Sequence, residues 1–171
     1  FQEKQVEEVI KLAESDSGKY ITSPDNQYRI IRHRLWFIIS PVVATEAVNI
    51  IIEENDKQVN FLLGSLNVEI NSNLKPSTSN DIATLDANEI IFPLLLRKWK
   101  TGDYFYPLGM KKKKKVSRFL IDSKLSKTEK ENTWVLESKQ RICWIVGQRI
   151  DDRFKLTATT KEILKLTYQS K

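Results

Sequence analysis

The sequence predicts an α+β fold. Short β-rich runs divided by turn clusters fill most of the chain, and helical periodicity is confined to two places. Apolar residues make up 40% of 171 positions, enough for a real core at this length. Val6, Val9, Ile10 and Ala13 recur at helical spacing, with Glu3, Glu7 and Glu8 near the start, where the helix dipole favours acidic groups. Residues 3–14 are therefore predicted as an amphipathic helix, stopped by Ser15-Asp16-Ser17-Gly18. Strands are predicted over 19–22, 28–32 and 35–39, punctuated by Pro24-Asp25-Asn26 and Pro41. Further strands are predicted over 48–53, 59–63, 66–70, 83–85 and 90–97, with the polar stretch 71–80 as an exposed loop.

The second half mixes types. Residues 116–124 have a helical pattern with Phe119 and Leu120 apolar and Ser117 as cap, and Ser126 with Glu129 forms a capping box for another short helix. Residues 134–137 and 141–146 read as a hairpin around Ser138-Lys139-Gln140. The apolar run 142–146 predicts a strand covered on both faces. Residues 163–168 form the last strand, and no internal repeat is visible.

Charge is divided along the chain. Residues 1–96 hold 8 Lys/Arg against 14 Asp/Glu, whereas residues 97–171 hold 20 against 8, within a net charge of +6. Such asymmetry points to two regions, one of them facing an anionic partner. The densest basic segment contains Arg97, Lys98, Lys100, Lys111, Lys112, Lys113, Lys114, Lys115, Arg118 and Lys124, opposed only by Asp103 and Asp122. Trp99, Tyr104, Phe105, Tyr106 and Phe119 are interleaved with it. Cations beside aromatic rings suit a polyanion with flat bases, and RNA fits best. A membrane fits less well, because there is no apolar run of about 18 residues and no strongly amphipathic basic helix.

A lysine run is equally often a solvated loop. Here it follows the Pro107-Leu108-Gly109-Met110 turn and precedes an apolar helix, so both ends are anchored, and Arg149, Arg153 and Lys155 are candidates to join it. A nuclear-import signal does not suit a segment embedded in a folded domain. Trp99, Trp134 and Trp144 are candidate stacking surfaces for bases; Trp144 is read as core, and either role is open for Trp99. Phe105 and Phe119 are read as holding the basic loop against the sheet.

Catalytic constellations do not emerge. Gly102, Gly109 and Gly147 are too sparse for a nucleotide-binding loop, and His33, flanked by Arg32 and Arg34, has no nucleophile motif nearby. Asp151 and Asp152 precede Arg153 and Lys155, which favours ion pairing or turn capping over metal binding. The single cysteine, Cys143, excludes an internal disulfide, is read as buried packing, and suits a reducing cytoplasm. No site for a metal or cofactor is expected in this chain. It begins at Phe1, which reads as a piece cut from a longer protein.

A longer pattern runs through these residues. Pro93-Leu94-x-Leu96-Arg97-x-Trp99-x-x-Gly102-Asp103-x-Phe105-x-Pro107-Leu108-Gly109-Met110 continues through Lys114-Lys115-x-Ser117-x-Phe119-x-Ile121-Asp122-x-Lys124. It resumes at Ile142-x-Trp144-x-Val146-Gly147-x-Arg149-Ile150-Asp151-Asp152-Arg153-Phe154-Lys155 and ends at Thr160-Lys161. This resembles the C-terminal domain of the bacterial tRNA(Ile)-lysidine synthase (TilS) family over about residues 93–166. More loosely, Ser17-Gly18-Lys19 resembles the segment joining that family's middle helical domain to its C-terminal domain. Two positions depart from the family pattern: Lys112 replaces a common glycine and Arg118 a common acidic residue. Both add positive charge.

The resemblance implies a fold of layered, sandwich-like sheets with flanking short helices behind one N-terminal helix, as also in the β-subunit of phenylalanyl-tRNA synthetase. It implies three regions: residues 1–18 end a helical linker domain, 19–92 form a β-rich connecting subdomain, and 93–171 form the tRNA-binding domain. The implied partner is the isoleucine tRNA with a CAU anticodon, held chiefly at its acceptor stem, together with the parent's own N-terminal catalytic domain. That domain would use ATP with Mg to join lysine to the wobble cytidine through a PP-loop motif, Ser-Gly-Gly-x-Asp-Ser, which does not occur in these residues. The alternative is a protein-interaction module, packing on the catalytic domain or on a second copy as a homodimer, with only nonspecific affinity for RNA.

Overall fold

The computed structural model describes residues 5–42, 49–73 and 75–171. Glu3 of the expected first helix, Val48 of the fourth expected strand and Leu74 of the expected loop lie outside them. The helices are α1 (Val6–Ala13), α2 (Val116–Asp122) and α3 (Lys127–Glu131). The strands are β1 (Tyr20–Thr22), β2 (Tyr28–His33), β3 (Trp36–Pro41), β4 (Ile50–Ile52), β5 (Gln58–Phe61), β6 (Gly64–Asn71) and β7 (Ile82–Asp86). They continue as β8 (Leu94–Lys98), β9 (Tyr104–Phe105), β10 (Lys114–Lys115), β11 (Trp134–Ser138), β12 (Arg141–Ile145), β13 (Arg149–Ile150) and β14 (Ile163–Ser170). Mostly antiparallel sheets with a few short helices match the α+β expectation.

Two compact units result, Phe1–Glu46 with Lys124–Glu131, and Ala47–Ser123 with Asn132–Lys171. The smaller unit is an antiparallel meander, β1-β2-β3, with α1 and α3. Along α1 the packed line is Gln5, Val9 and Leu12, with Leu12 buried, while Val6, Ile10 and Ala13 of the expected apolar stripe are exposed. The capping box forms as expected: the Glu129 N–H donates to Ser126 Oγ at 3.2 Å, and the Ser126 N–H donates to Glu129 Oε2 at 2.7 Å. The Ser126 side chain and then its N–H hold the Glu129 carboxyl below its usual range.

The larger unit is a sandwich of two sheets, β13-β12-β11-β8-β4 and β5-β6-β14-β7, with the β9–β10 pair and α2 added. Period-2 alternation builds its core. Leu94, Leu96, Trp134 and Leu136 from the first sheet meet Leu66, Val68, Ala83, Leu85, Leu164 and Leu166 from the second. Strands β4 to β7 share this core with later strands, so the expected boundary after residue 92 runs through one hydrophobic interior. Trp134, open to base stacking on sequence grounds, is 2% exposed and packs edge-on against Phe61 at 5.0 Å.

Strand β12 is buried on both faces as expected. Ile142, Cys143, Trp144 and Ile145 are all buried, and a bulge beside Leu136 puts both Cys143 and Trp144 into the core. Cys143 Sγ donates to the Leu136 carbonyl at 3.2 Å, and burial pushes its thiol pKa up. The β11–β12 turn is Lys139-Gln140, with φ of 46° and 61°, the primed geometry that two-residue hairpins require. Helix α2 starts at Val116 without the expected Ser117 cap. Lys115 stands at its N-cap, and the Val116 N–H is taken by the Asp103 carbonyl at 2.9 Å.

Gly64 pairs with Ser170 where β6 meets β14, and a Cβ there would lie 1.9 Å from the Gln169 carbonyl oxygen. Gly64→Ala should therefore cost about 1–3 kcal/mol in urea unfolding. Cys143 should resist a thiol reagent in the native protein and react only on unfolding.

Candidate nucleic-acid interface

The basic loop is built on two consecutive carboxylates. Asp151 is fully buried, and its side chain accepts from the Tyr106 N–H (2.8 Å), the Arg153 N–H (2.9 Å) and the Arg153 Nε and Nη2 atoms (2.9 and 2.8 Å). Asp152 Oδ1 accepts from the Gly109 N–H at 2.9 Å, and both its oxygens engage Lys155. Backbone bonds run alongside: the Asp152 N–H donates to the Tyr106 carbonyl at 2.7 Å and the Leu108 N–H to the Ile150 carbonyl at 3.0 Å. The turn leading into the lysine run is thus stitched to residues 150–155. The run returns as β10, where Lys114 and Lys115 pair with Phe105 and Tyr104 of β9. Phe105, fully buried, packs edge-to-face on Phe119 of α2 at 5.1 Å.

Carboxylates sort the expected phosphate contacts into two groups. Arg97 has a different job from the one the sequence suggests: at 7% exposure it holds Asp103 through two bonds of 2.8 and 2.9 Å and also engages Glu137. Burial opposes its charge, but the two carboxylates outweigh that and raise its pKa. Its donors are spent inside the fold, which removes it from any RNA surface. Arg153 is held by Asp151, which raises its pKa, and its guanidinium lies 4.5 Å from the Tyr106 ring centroid. Lys114 and Arg118 share Asp122, and Lys155 holds Asp152.

Lys98, Lys100, Lys111, Lys112, Lys113, Lys115 and Arg149 have no ion-pair partner among the described residues. All but the half-buried Lys98 are exposed. Arg118 and Lys155 also keep a largely open side chain, at 69% and 47% exposure. Residues 106–115 and 149–155 are brought together, with Pro107 bridged to Asp151. Lys124 belongs to the smaller unit.

Sequence reasoning missed Arg141 and the order of the rings around it. Lys113 lies 5.2 Å from the Tyr104 centroid, Tyr104 lies 6.4 Å from Tyr106, and Arg153 lies between Tyr106 and Phe154 at 4.5 and 6.0 Å. Arg141 ends the series, 5.0 Å from Phe154. The Tyr-x-Tyr alternation at 104–106 was the available signal; the arrival of Arg141 from another strand was not readable.

Comparison with known proteins bears on this surface. Residues 1–42 match the family model described as the TilS substrate binding domain, and residues 94–166 match that of the TilS substrate C-terminal domain. The chain belongs to the TilS family. The tRNA(Ile)-lysidine synthase of Parabacteroides distasonis is 48% identical over 87 residues, covering 51% of this chain and 20% of that protein. That of Bacteroides thetaiotaomicron is 29% identical over 164 residues, covering 96% of this chain and 36% of the relative. The Clostridium perfringens synthase is 28% identical over 185 aligned positions, covering 100% and 39%. The chain thus spans about two-fifths or less of these curated relatives. A crystal structure of a TilS C-terminal domain superposes with a TM-score of 0.58 at 17% identity, over 73% of this chain and 98% of that one, and supports the fold.

Two measurements separate the groups. Arg97→Met strands two partly buried carboxylates and should cost about 3–5 kcal/mol in urea unfolding, whereas Lys111→Ala should stay within about 0.5 kcal/mol. Acid should loosen the loop. The Gly109 N–H and then Lys155 hold the Asp152 carboxyl below its usual range. That stabilisation is fully present above about pH 4 and is lost as pH falls through the lower native value. Asp152→Asn should flatten this part of the stability–pH curve between pH about 4 and the acid limit.

Proposed function

We propose that this chain is the tRNA-binding C-terminal portion of a tRNA(Ile)-lysidine synthase. It holds the acceptor stem of the CAU-anticodon isoleucine tRNA while an upstream PP-loop domain, using ATP with Mg, joins lysine to the wobble cytidine in the cytoplasm. The observation that carries the reading is the lysine run Lys111–Lys115, mounted on a rigid turn by Asp151 and Asp152 and largely free of internal carboxylates. Phosphate contacts of this kind fix the position of an RNA without reading its sequence. Discrimination among tRNAs then rests on stem shape and on contacts made elsewhere in the parent protein.

A second reading, a protein-interaction module, draws on the smaller unit. Leu35, Trp36 and Ile39 of the β2–β3 hairpin are 88%, 72% and 68% exposed, a high density of open apolar side chains for one short hairpin. Light scattering with and without tRNA separates the two. A stable dimer without RNA affinity favours the second.

With about five phosphates neutralised, log affinity for tRNA should fall against log salt with a slope of roughly −3 to −5 in gel-shift titrations. Replacing Lys111, Lys112, Lys113 and Lys115 by alanine together should flatten the slope while leaving circular dichroism unchanged. A salt-independent affinity, or an unaltered slope in that variant, sinks the proposal.

A further inference from the structure

Beside the phosphate-facing loop, the larger unit has a cleft of about 90 Å³, several times the room that one water needs. Its lining includes Tyr104, Glu137, Gln140, Arg141 and Arg153. Three of these, Tyr104, Arg153 and Arg141, belong to the series of alternating rings and cations, so the lining carries one aromatic ring and two guanidinium groups. Tyr104 is 47% exposed, with Lys113 Nζ 5.2 Å from its ring centroid, so a ligand meets the ring and that cation together. The charges inside balance: Arg97 serves both Asp103 and Glu137, Asp151 serves Arg153, and Arg141, which has no ion-pair partner among the described residues, offsets the second carboxylate on Arg97.

We propose that this cleft takes a single unpaired nucleotide of the bound RNA, its base against Tyr104 and Arg141 and its phosphate toward Arg141 and Lys113. The proposal rests on the RNA-binding reading above and adds a base-sensing subsite to it. The chemistry of the walls selects the ligand. A planar heterocycle gains from aromatic and guanidinium faces, and stacking of this kind is sequence-tolerant. Discrimination comes from the floor. Glu137 engages Arg97 through Oε1, and its Oε2 is a carboxylate acceptor for an exocyclic amino group. Adenine, cytosine and guanine carry such a group; uracil does not. A paired base has its amino edge occupied and its faces stacked, so a duplex cannot enter.

The test uses the 171-residue chain and short RNAs. Tetranucleotides A4 and C4 should bind about tenfold more tightly than U4, the difference expected of one hydrogen bond to a charged acceptor. Tyr104→Leu and Arg141→Gln, each checked for folding by circular dichroism and thermal melting, should each weaken A4 by about tenfold. A blunt RNA duplex should keep its affinity within about twofold in Arg141→Gln, since most duplex affinity comes from phosphate contacts made by other residues. Equal affinity for U4 and A4, no response in either variant, or AMP binding as tightly as A4 overturns the subsite. Retained duplex binding without tetranucleotide binding overturns the cleft alone, whereas loss of both overturns the RNA-binding reading beneath it.

Discussion

A carboxylate buried at the centre of the basic region is the constraint on which the rest depends. Asp151 has no solvent exposure, a state tolerated only when every charge and lone pair is answered. It is answered by two backbone N–H groups and the Arg153 guanidinium, and these donors come from chain segments 45 residues apart. Because its penalty is offset only when both segments are in place, Asp151 fixes the 106–109 turn against the 150–155 turn. The lysine run is continuous with the first, and Arg149 and Lys155 flank the second. One buried charge thereby organises many exposed ones.

Net charge along a sequence is consequently a poor guide to charge on a surface. Arg97 opens the densest basic stretch and reads as its first phosphate contact, yet its donors close a buried cluster with Asp103 and Glu137. Asp122 occupies Lys114 and Arg118 together, and those two cations with the bond from Lys114 first hold its carboxyl below the usual range. Within the run, what remains for a polyanion is Lys111 to Lys113 with Lys115, since these have no ion-pair partner among the described residues. The two departures from the family pattern divide the same way: Lys112 is exposed without an ion pair among the described residues, whereas Arg118 is engaged by Asp122.

Local patterns were legible where the physics is local. The Ser126–Glu129 box, the strands at 66–70 and 134–137, and the double burial of 142–145 depend on neighbours a few residues away, and the structure shows them. The stripe on α1 failed because periodicity defines a face without saying whether anything covers it. Val6 and Ile10 are exposed in this unit, and Leu12 packs instead. The short strands β9, β10 and β13 were invisible, since two residues carry no period. Arg141 was missed for another reason: its significance comes from Phe154, which reaches it from beyond β13.

Strand β14 shows why the larger unit behaves as one body and not as a connecting segment followed by a binding domain. It lies between β6 and β7, so the sheet made from residues 58–86 is incomplete until the last strand of the chain arrives. Two further bonds tie these ends together, Thr160 Oγ1 donating to Asp86 Oδ2 at 2.6 Å and the Ala87 N–H to the Glu162 carbonyl at 3.0 Å. The turn at 150–155 therefore sits between a strand of one sheet, β13, and a strand of the other, β14. Both ends of the segment that anchors the lysine run are held by the closed sandwich. Rigidity at the basic loop is a property of the whole core, because the segment from which Asp151 holds it runs between strands of both sheets.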